Sequence, residues 1–448
     1  MLACLAVFGI RAQDWQPLFN GKDLSNWSQF GGAAKYYVEG DMIVGEAVAD
    51  SPNSFLTTKR SYGDFILEYE VFVSTDMNSG VQIRSNSTAE YRDGRVHGYQ
   101  VELDPSPRRY SGGIYDEQRR GWLYPLARNP KAYQALLFGQ WNTVRIEAIG
   151  NKINTWINGI QCARLVDDMT DEGFIGLQVH RIYDEESVGE KIKWRNLKIL
   201  TSDLAANRMA EDPEVPQISY LHNELTPNEE DHGWRLLWDG KTTKGWRGAK
   251  LTDFPSTGWN IEDGILTIEA TDGGEATGPG DIVTIGDYSN FELQLEFRIT
   301  EGANSGVKYF VDPELNMGAG SAIGCEFQIL DDENHPDAKL GVEGNRTLGS
   351  LYDLIRADNL SVPSRDKTFK GIGEWNHVRI VSQNGKVQHW LNNEKVVEYD
   401  RHSQIFRALV AYSKYKDWED FGQRPEGKIL LQDHGNEVSF KNIKIREL

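Results

Sequence analysis

The 448-residue chain contains three cysteines, and Cys4 falls inside the apolar stretch that opens it. Cys162 and Cys325 do not sit at matching places in the repeats described below. A disulfide framework and a thiolate metal site are therefore not expected, and each cysteine reads as a small core residue. No HExxH, paired-cysteine, glycine-rich phosphate-loop or GxSxG signature is present, which counts against zincins, nucleotide enzymes and serine esterases. Basic charge is also scarce: 48 Lys and Arg against 67 Asp and Glu leave a formal charge of -19, so nucleic acid and anionic membrane surfaces are poor partners. Long apolar runs are missing, which argues against membrane insertion. The one at Met1–Ile10 is too short to span a bilayer and is followed by Arg11, Ala12, Gln13 and Asp14. It reads as a signal peptide over residues 1–12, truncated because its basic n-region is absent, and the expectation is export across the inner membrane to the periplasm.

What the chain has in abundance is glycine, 44 residues, and aromatic side chains, 11 %, together with a long internal repeat. Leu18-Phe19-Asn20-Gly21-Lys22 followed by Trp27 recurs as Leu237-Trp238-Asp239-Gly240-Lys241 followed by Trp246. Asn78-Ser79-Gly80-Val81 recurs as Asn304-Ser305-Gly306-Val307, Gly139-Gln140-Trp141-Asn142 as Gly373-Glu374-Trp375-Asn376, and Leu177-Gln178-Val179-His180 as Leu431-Gln432-Asp433-His434. The unit is too long for a solenoid, so a whole domain is duplicated: residues 13–200, then a proline- and acid-rich linker at 201–233, then residues 234–448. Helical periodicity is almost absent. Phe291, Leu293, Leu295 and Phe297 alternate with polar residues, and Asn384-Gly385 between two apolar runs is a tight-hairpin signal. The fold class expected is all-β, two tandem concanavalin A-like jelly-roll sandwiches.

Alternation by two also sorts the polar side chains. Glu326 and Gln328 share a face opposite Cys325, Phe327 and Ile329, while Gln100, Glu102 and Asp104 share one opposite Tyr99, Val101 and Leu103. Gln432 with His434, and Gln178 with His180, repeat the same pairing near the end of each copy. An acid and a histidine on neighbouring strands can act as base and acid, or can hold a divalent metal with an open position; they can also simply decorate a wet sheet face. Asn78-Ser79-Gly80 and Asn304-Ser305-Gly306 read as simple turns or strand bulges, with Arg84 and Lys308 brought onto the polar face as the functional alternative. The long insertion 108–138, with Arg119, Arg120, Trp122, Tyr124 and Arg128, has the aromatic and polar mixture that suits a sugar ring, and the same residues equally serve to anchor a loop.

Taken with Glu326-Phe327-Gln328-Ile329-Leu330-Asp331 and Leu351-Tyr352-Asp353, these motifs resemble the 3-keto-disaccharide hydrolase domain, over nearly the whole chain and twice. The resemblance implies cleavage of glycosides whose glucose unit is oxidised at C3, in some relatives as a 1,2-lyase using a divalent metal. The chemistry is sound: the ketone acidifies the C2 proton, a base removes it, and the C1 oxygen departs. On this resemblance Glu326, His434 and Lys308 are the expected catalytic groups of the second copy, and Glu102, His180 and Arg84 those of the first. Gln328, Gln432, Tyr352, Asp331, Gln178, Asp104, Tyr115 and Trp122 are the expected contacts to an oligosaccharide or glycoside. The first copy departs from the pattern, with Gln100 where the second has Glu326 and Glu102 where it has Gln328. Hydrolase, lyase, non-catalytic carbohydrate-binding protein and adhesion module remain open at this point.

Overall fold

The computed structural model describes residues 15–73, 77–271 and 280–448, so the expected signal peptide lies outside the described residues. Two compact units result: residues up to Arg119 together with Asn129–Ile218 form one, and Arg120–Arg128 with Ser219–Leu448 form the other. Each is an antiparallel sandwich of two sheets. No helix among the described residues is long and apolar enough to cross a membrane.

In the second unit one sheet runs in the order Trp259–Glu262, Ile265–Ile268, Val438–Glu447, Phe291–Ile299, Asn376–Gln383, Lys386–Leu391, Glu394–Asp400. The facing sheet runs Trp246–Gly248, Ile282–Thr284, Lys428–Leu431, Asn304–Asp312, Ile323–Leu330. Between them lies one apolar cluster that includes Phe291, Leu293, Leu295, Phe297, Val307, Tyr309, Phe327, Ile329, Ile429 and Leu431. Every second residue of each strand enters it, as period-two geometry requires. Cys325 joins this core, Cys162 is buried in the first unit, and both are free; burial pushes each thiol up to about 12. The Asn384-Gly385 turn has φ of +51° and +83°, the left-handed pair that a two-residue hairpin demands.

The first unit repeats the plan. Its sheets run Ile160–Val166, Lys152–Ile157, Trp141–Ile149, Phe65–Val73, Lys191–Leu200, Met42–Glu46, Lys35–Glu39, and Ile114–Glu117, His97–Leu103, Ser79–Asn86, Phe174–Val179, Ser54–Thr58, Trp27–Gly31. The stretch expected as linker contains a helical turn at Leu204–Asn207 and a short helix at Pro227–Asp231. The latter starts with a capping box: Thr226 Oγ1 accepts from the Glu229 amide at 3.1 Å, and the Glu229 carboxylate accepts from the Thr226 amide at 2.9 Å.

Candidate functional site

Three adjacent strands of the second unit build a concave polar face. Lys308 stands opposite Glu326 and Gly306 opposite Gln328 in the pairing of Asn304–Asp312 with Ile323–Leu330. Lys428–Leu431 pairs on the other side of Asn304–Asp312, and the chain leaving it delivers Gln432 and His434. The two ends are locked together by the Gln432 amide donating to Gly306 O at 3.0 Å and Ser305 Oγ donating to Gln432 O at 2.7 Å. Asn304, Glu326, Gln328, Tyr352, Lys414, Gln432 and His434 then line a cleft with an enclosed volume of about 30 Å³. That is room for a water or the edge of a ligand.

Within it Gln328 Nε2 donates to Asn304 Oδ1 at 2.9 Å. Gln328 Oε1, Gln432 Oε1 and His434 Nδ1 are buried with no hydrogen-bond partner in the protein. A buried polar atom without a partner is costly, so three in one cleft mark groups waiting for a polar ligand. Glu326 is 3 % exposed, with the Lys308 ammonium 3.7 Å from Oε2. That ammonium also donates to Ser321 Oγ at 2.5 Å and Ala322 O at 3.3 Å. Lys308 therefore supports the carboxylate from the flank, and Lys414 is the lysine that lines the cleft. Lys414 Nζ lies 4.2 Å from the centre of the Tyr352 ring, and the Tyr352 hydroxyl donates to Asp337 Oδ2 at 2.7 Å. Burial first, then Asp337, pushes that phenol above its usual range. His335 packs edge-on to His434 at 5.9 Å; burial and the charge of His434 hold it below its ordinary value.

Residues 14–200 and 233–446 both match the family model of the 3-keto-alpha-glucoside-1,2-lyase-like domain. The chain belongs to this family. A 3-keto-disaccharide hydrolase of Bacteroides thetaiotaomicron is 37 % identical over 236 residues, which covers 48 % of this chain and 79 % of that protein. A Parabacteroides distasonis crystal structure described as a glycosyl hydrolase is 31 % identical, covering 51 % of this chain and 99 % of its own, with a TM-score of 0.43. A second protein of that organism, described in the same words, is 27 % identical over 48 % of this chain and 99 % of its own, with a TM-score of 0.35. Membership in the 3-keto-alpha-glucoside-1,2-lyase-like family makes this a carbohydrate-active protein.

Its first copy presents the same face with different charges. Gln82 occupies the place of Lys308 and Gln100 that of Glu326, joined by a hydrogen bond from Gln82 Nε2 to Gln100 Oε1 at 2.7 Å. Glu102, at the position of Gln328, accepts from Asn78 Nδ2 at 2.6 Å and Gln100 Nε2 at 2.8 Å. Burial pushes its carboxyl up to about 7, the two amides oppose the shift, and Asp104 adds to it. Gln178 Oε1 accepts from Gln100 Nε2 at 3.3 Å, while Gln178 Nε2 and Asn78 Oδ1 are buried without partners. His180 stands at the rim, its Nδ1 on Arg181 O at 2.7 Å, and burial lowers its pKa. Tyr115 pairs opposite Gln100, as Tyr352 lies beside Glu326, and burial with the nearby Glu117 and Glu102 pushes it up to about 12.

Three expectations are corrected. Arg84 is 1 % exposed and its guanidinium serves Gly63 O, Gly150 O and Asp64, because a register shift between Ile83 and Asn86, with Arg84 at φ +45°, turns it away from the cleft. Asp331 caps a turn, accepting from the Gly302, Glu333 and Asn334 amides; burial opposes, yet these bonds hold its carboxyl below the usual range. Asp104 likewise fastens its own loop through Arg108 Nε at 2.6 Å and the Ser106 amide at 3.1 Å. Trp122 lies half-buried on the strand Gly121–Tyr124.

The donor set also bears on the divalent metal that the resemblance implies. Among the described residues no three His, Cys, Asp or Glu side chains converge. The second cleft offers the Glu326 carboxylate, the His434 imidazole and the Gln328 and Gln432 amide oxygens, donor types that ligate divalent ions, with the Lys308 ammonium beside the carboxylate opposing a further positive charge.

Gly306 explains the glycine of the Asn-Ser-Gly motif, since a Cβ there would lie 2.1 Å from Glu326 Oε1. Gly306→Ala is expected to displace the carboxylate and cut turnover at least tenfold while thermal unfolding shifts by only a few degrees; steady-state kinetics beside calorimetry checks this. Glu102 gives a pH prediction. A carboxyl whose folded pKa is about 7 against an unfolded value near 4.5 binds a proton on folding, so its stabilising protonated form is lost as pH rises through 7. Glu102→Gln is expected to stabilise the protein at pH 8 by on the order of 3 kcal/mol relative to the parent and to leave it unchanged at pH 4, read by urea unfolding at both pH values.

Proposed function

We propose that the second unit cleaves 3-keto-glucosides by removing the C2 proton, with the carboxylate of Glu326 as base. The observation that carries this is Glu326 beneath a cleft whose Gln328, Gln432 and His434 present buried polar atoms with no partner in the protein. The C2–H electron pair moves to give an enolate, whose oxygen at C3 is stabilised by the Lys414 ammonium and the cleft amides. Collapse of the enolate breaks the C1–O bond, and His434 returns a proton to the departing oxygen. The products are the aglycone and a 1,2-unsaturated 3-keto sugar; addition of water across its double bond completes net hydrolysis. Lys308, its ammonium 3.7 Å from Oε2, flanks and orients the carboxylate. The named activity of the Bacteroides relative supports the substrate class. The sequence reading of a signal peptide adds the proposal of a periplasmic setting.

The test is product analysis by NMR in D2O with a 3-keto-α-glucoside and its unoxidised parent, with and without chelator. Cleavage of the keto sugar alone, with no hydrogen at C2 of the unsaturated product and deuterium at C2 of its hydrated form, supports the reading. Binding without turnover in every condition replaces it with a carbohydrate-binding protein.

A further inference from the structure

In the second unit Glu326 is not the only buried carboxylate tied to the Lys308 ammonium. Asp281, 4 % exposed, immediately precedes the strand Ile282–Thr284. Its Oδ2 accepts from Ser321 Oγ at 2.5 Å and from the Ala322 amide at 3.2 Å, and Ser321 Oγ in turn accepts from Lys308 Nζ at 2.5 Å. The ammonium is therefore shared: it reaches Asp281 through a hydroxyl and stands 3.7 Å from Glu326 Oε2. Burial pushes the Asp281 carboxyl up, and the charge of Lys308 leads what opposes the shift. A lysine and a carboxylate in contact in the same unit, Lys367 and Asp332, lie 2.8 Å apart, so the Lys308–Glu326 pair is held open.

Asp281 also grips the strand exit that carries the other cleft groups. Its Oδ1 accepts from the Asp433 amide at 3.0 Å, and the Asp433 carboxylate accepts from the Gly280 amide at 3.1 Å and the Gly435 amide at 2.9 Å. The first unit supplies an internal comparison. There Leu56 pairs with Leu177 as Ile282 pairs with Leu431, which puts Phe55 at the place of Asp281. Gln82 and Gln100 stand at the places of Lys308 and Glu326. All three charges are present in one copy and all three are absent from the other. A carboxylate needed only to hold the strand exit has no reason to vanish with a lysine two strands away.

We propose that Asp281 is a positioning residue for the reaction assigned above to Glu326, an inference that rests on that assignment: acting through Ser321, it draws the Lys308 ammonium short of contact with Glu326, so that the ammonium does not compete with the C2 proton for Oε2. With the Asp281 charge removed, the attraction left to the ammonium within this network is that of Glu326, and the pair closes into a charge-assisted hydrogen bond. A base so engaged takes a proton only after that bond is broken.

The test is the crystal structure and the steady-state kinetics of the full chain carrying Asp281→Asn, which keeps an acceptor and removes the charge, beside Asp281→Asn/Lys308→Gln, whose amide has its precedent in Gln82. In Asp281→Asn the Lys308 ammonium is expected to close to about 2.8 Å from Glu326 Oε2, and kcat for a 3-keto-glucoside to fall at least tenfold with KM moved less than threefold. In the double variant the competing cation is gone, and kcat is expected to recover at least fivefold over Asp281→Asn alone. A damaged clamp on Asp433 would not be repaired by changing Lys308, so this recovery separates the two roles. Should Asp281→Asn not fold, Asp281→Ser, which also keeps an acceptor, takes its place in both variants. An ammonium that stays where it is in the single variant overturns the proposal, and so does a double variant no faster than the single one. If the parent fails to cleave the keto sugar, the assignment of Glu326 as base falls by itself, and the place of the ammonium in the variant still decides whether Asp281 holds Lys308 open.

Discussion

Glu326→Gln is expected to lower kcat/KM for a 3-keto-glucoside by 10²–10⁴, the span that a positioned general base contributes, or about 3–5 kcal/mol of transition-state stabilisation. Glutamine keeps the size and planarity of the carboxylate, so the contact across Gly306 persists and substrate binding changes little. Lys308 retains Ser321 Oγ and Ala322 O as acceptors, which keeps the strand pair in register. The loss should therefore fall on kcat with KM moved less than threefold, and deuterium uptake at C2 should disappear with it. Retention of more than a tenth of the parental rate would remove Glu326 from the chemistry. Glu102→Gln is the internal control: with the base in the second unit, it leaves the rate within a factor of two.

The largest effect on stability is expected at Glu292, on the sheet of the second unit that faces the cleft-bearing one. Its carboxylate, 1 % exposed, accepts from Arg379 Nε and from Arg446 Nη2 at 2.6 Å, with Arg128 Nη2 at 3.6 Å. Burial alone would raise its pKa, but the guanidinium groups of Arg379, Arg128 and Arg446 outweigh that and hold it far below the carboxylate range. Glu292→Gln leaves three cations around a neutral group. Because Arg446 is partly solvated, the cost is expected at about 3 kcal/mol, the lower end for a broken buried pair, and the unfolding transition of the second unit should fall by roughly 10 °C. A depressed folded pKa contributes stability above the unfolded value that is lost as pH falls. The gap between variant and parent should thus narrow steadily below pH 5. A gap that is constant from pH 7 to pH 3 would show that Glu292 acts through packing alone.

Much of the second cleft was legible in the sequence because strand geometry makes side-chain direction countable. Glu326, Gln328, Gln432 and His434 fall on one face of two regular strands and their exit, and they do converge. Counting by two failed for Arg84 because a bulge intervenes, and no residue type in that stretch marks one. It placed Lys308 on the right face without revealing that Ser321 and Ala322 would draw its ammonium sideways. Asp104 and Asp331 were misread for a different reason: both leave a strand and start a turn, where a carboxylate serves backbone amides first. Lys414 was missed because it follows a helix, Gln404–Tyr412, that interrupts only the second repeat, so no internal comparison pointed to it.

The exchange of the ion pair Lys308–Glu326 for the amide pair Gln82–Gln100 carries a consequence for how the two copies diverged. Lysine and glutamine codons differ by one base, as do glutamine and glutamate codons, so each replacement is a single mutational step. The steps cannot be taken independently, however. Whichever came first left either a buried ammonium facing an amide or a buried carboxylate facing one, at a cost on the order of several kcal/mol. A duplicated domain can cross such a valley while its sibling continues to do the work, and a single-copy relative cannot. Charged and neutral forms of the cleft should therefore recur among family members as pairs, with mixed forms rare outside tandem chains.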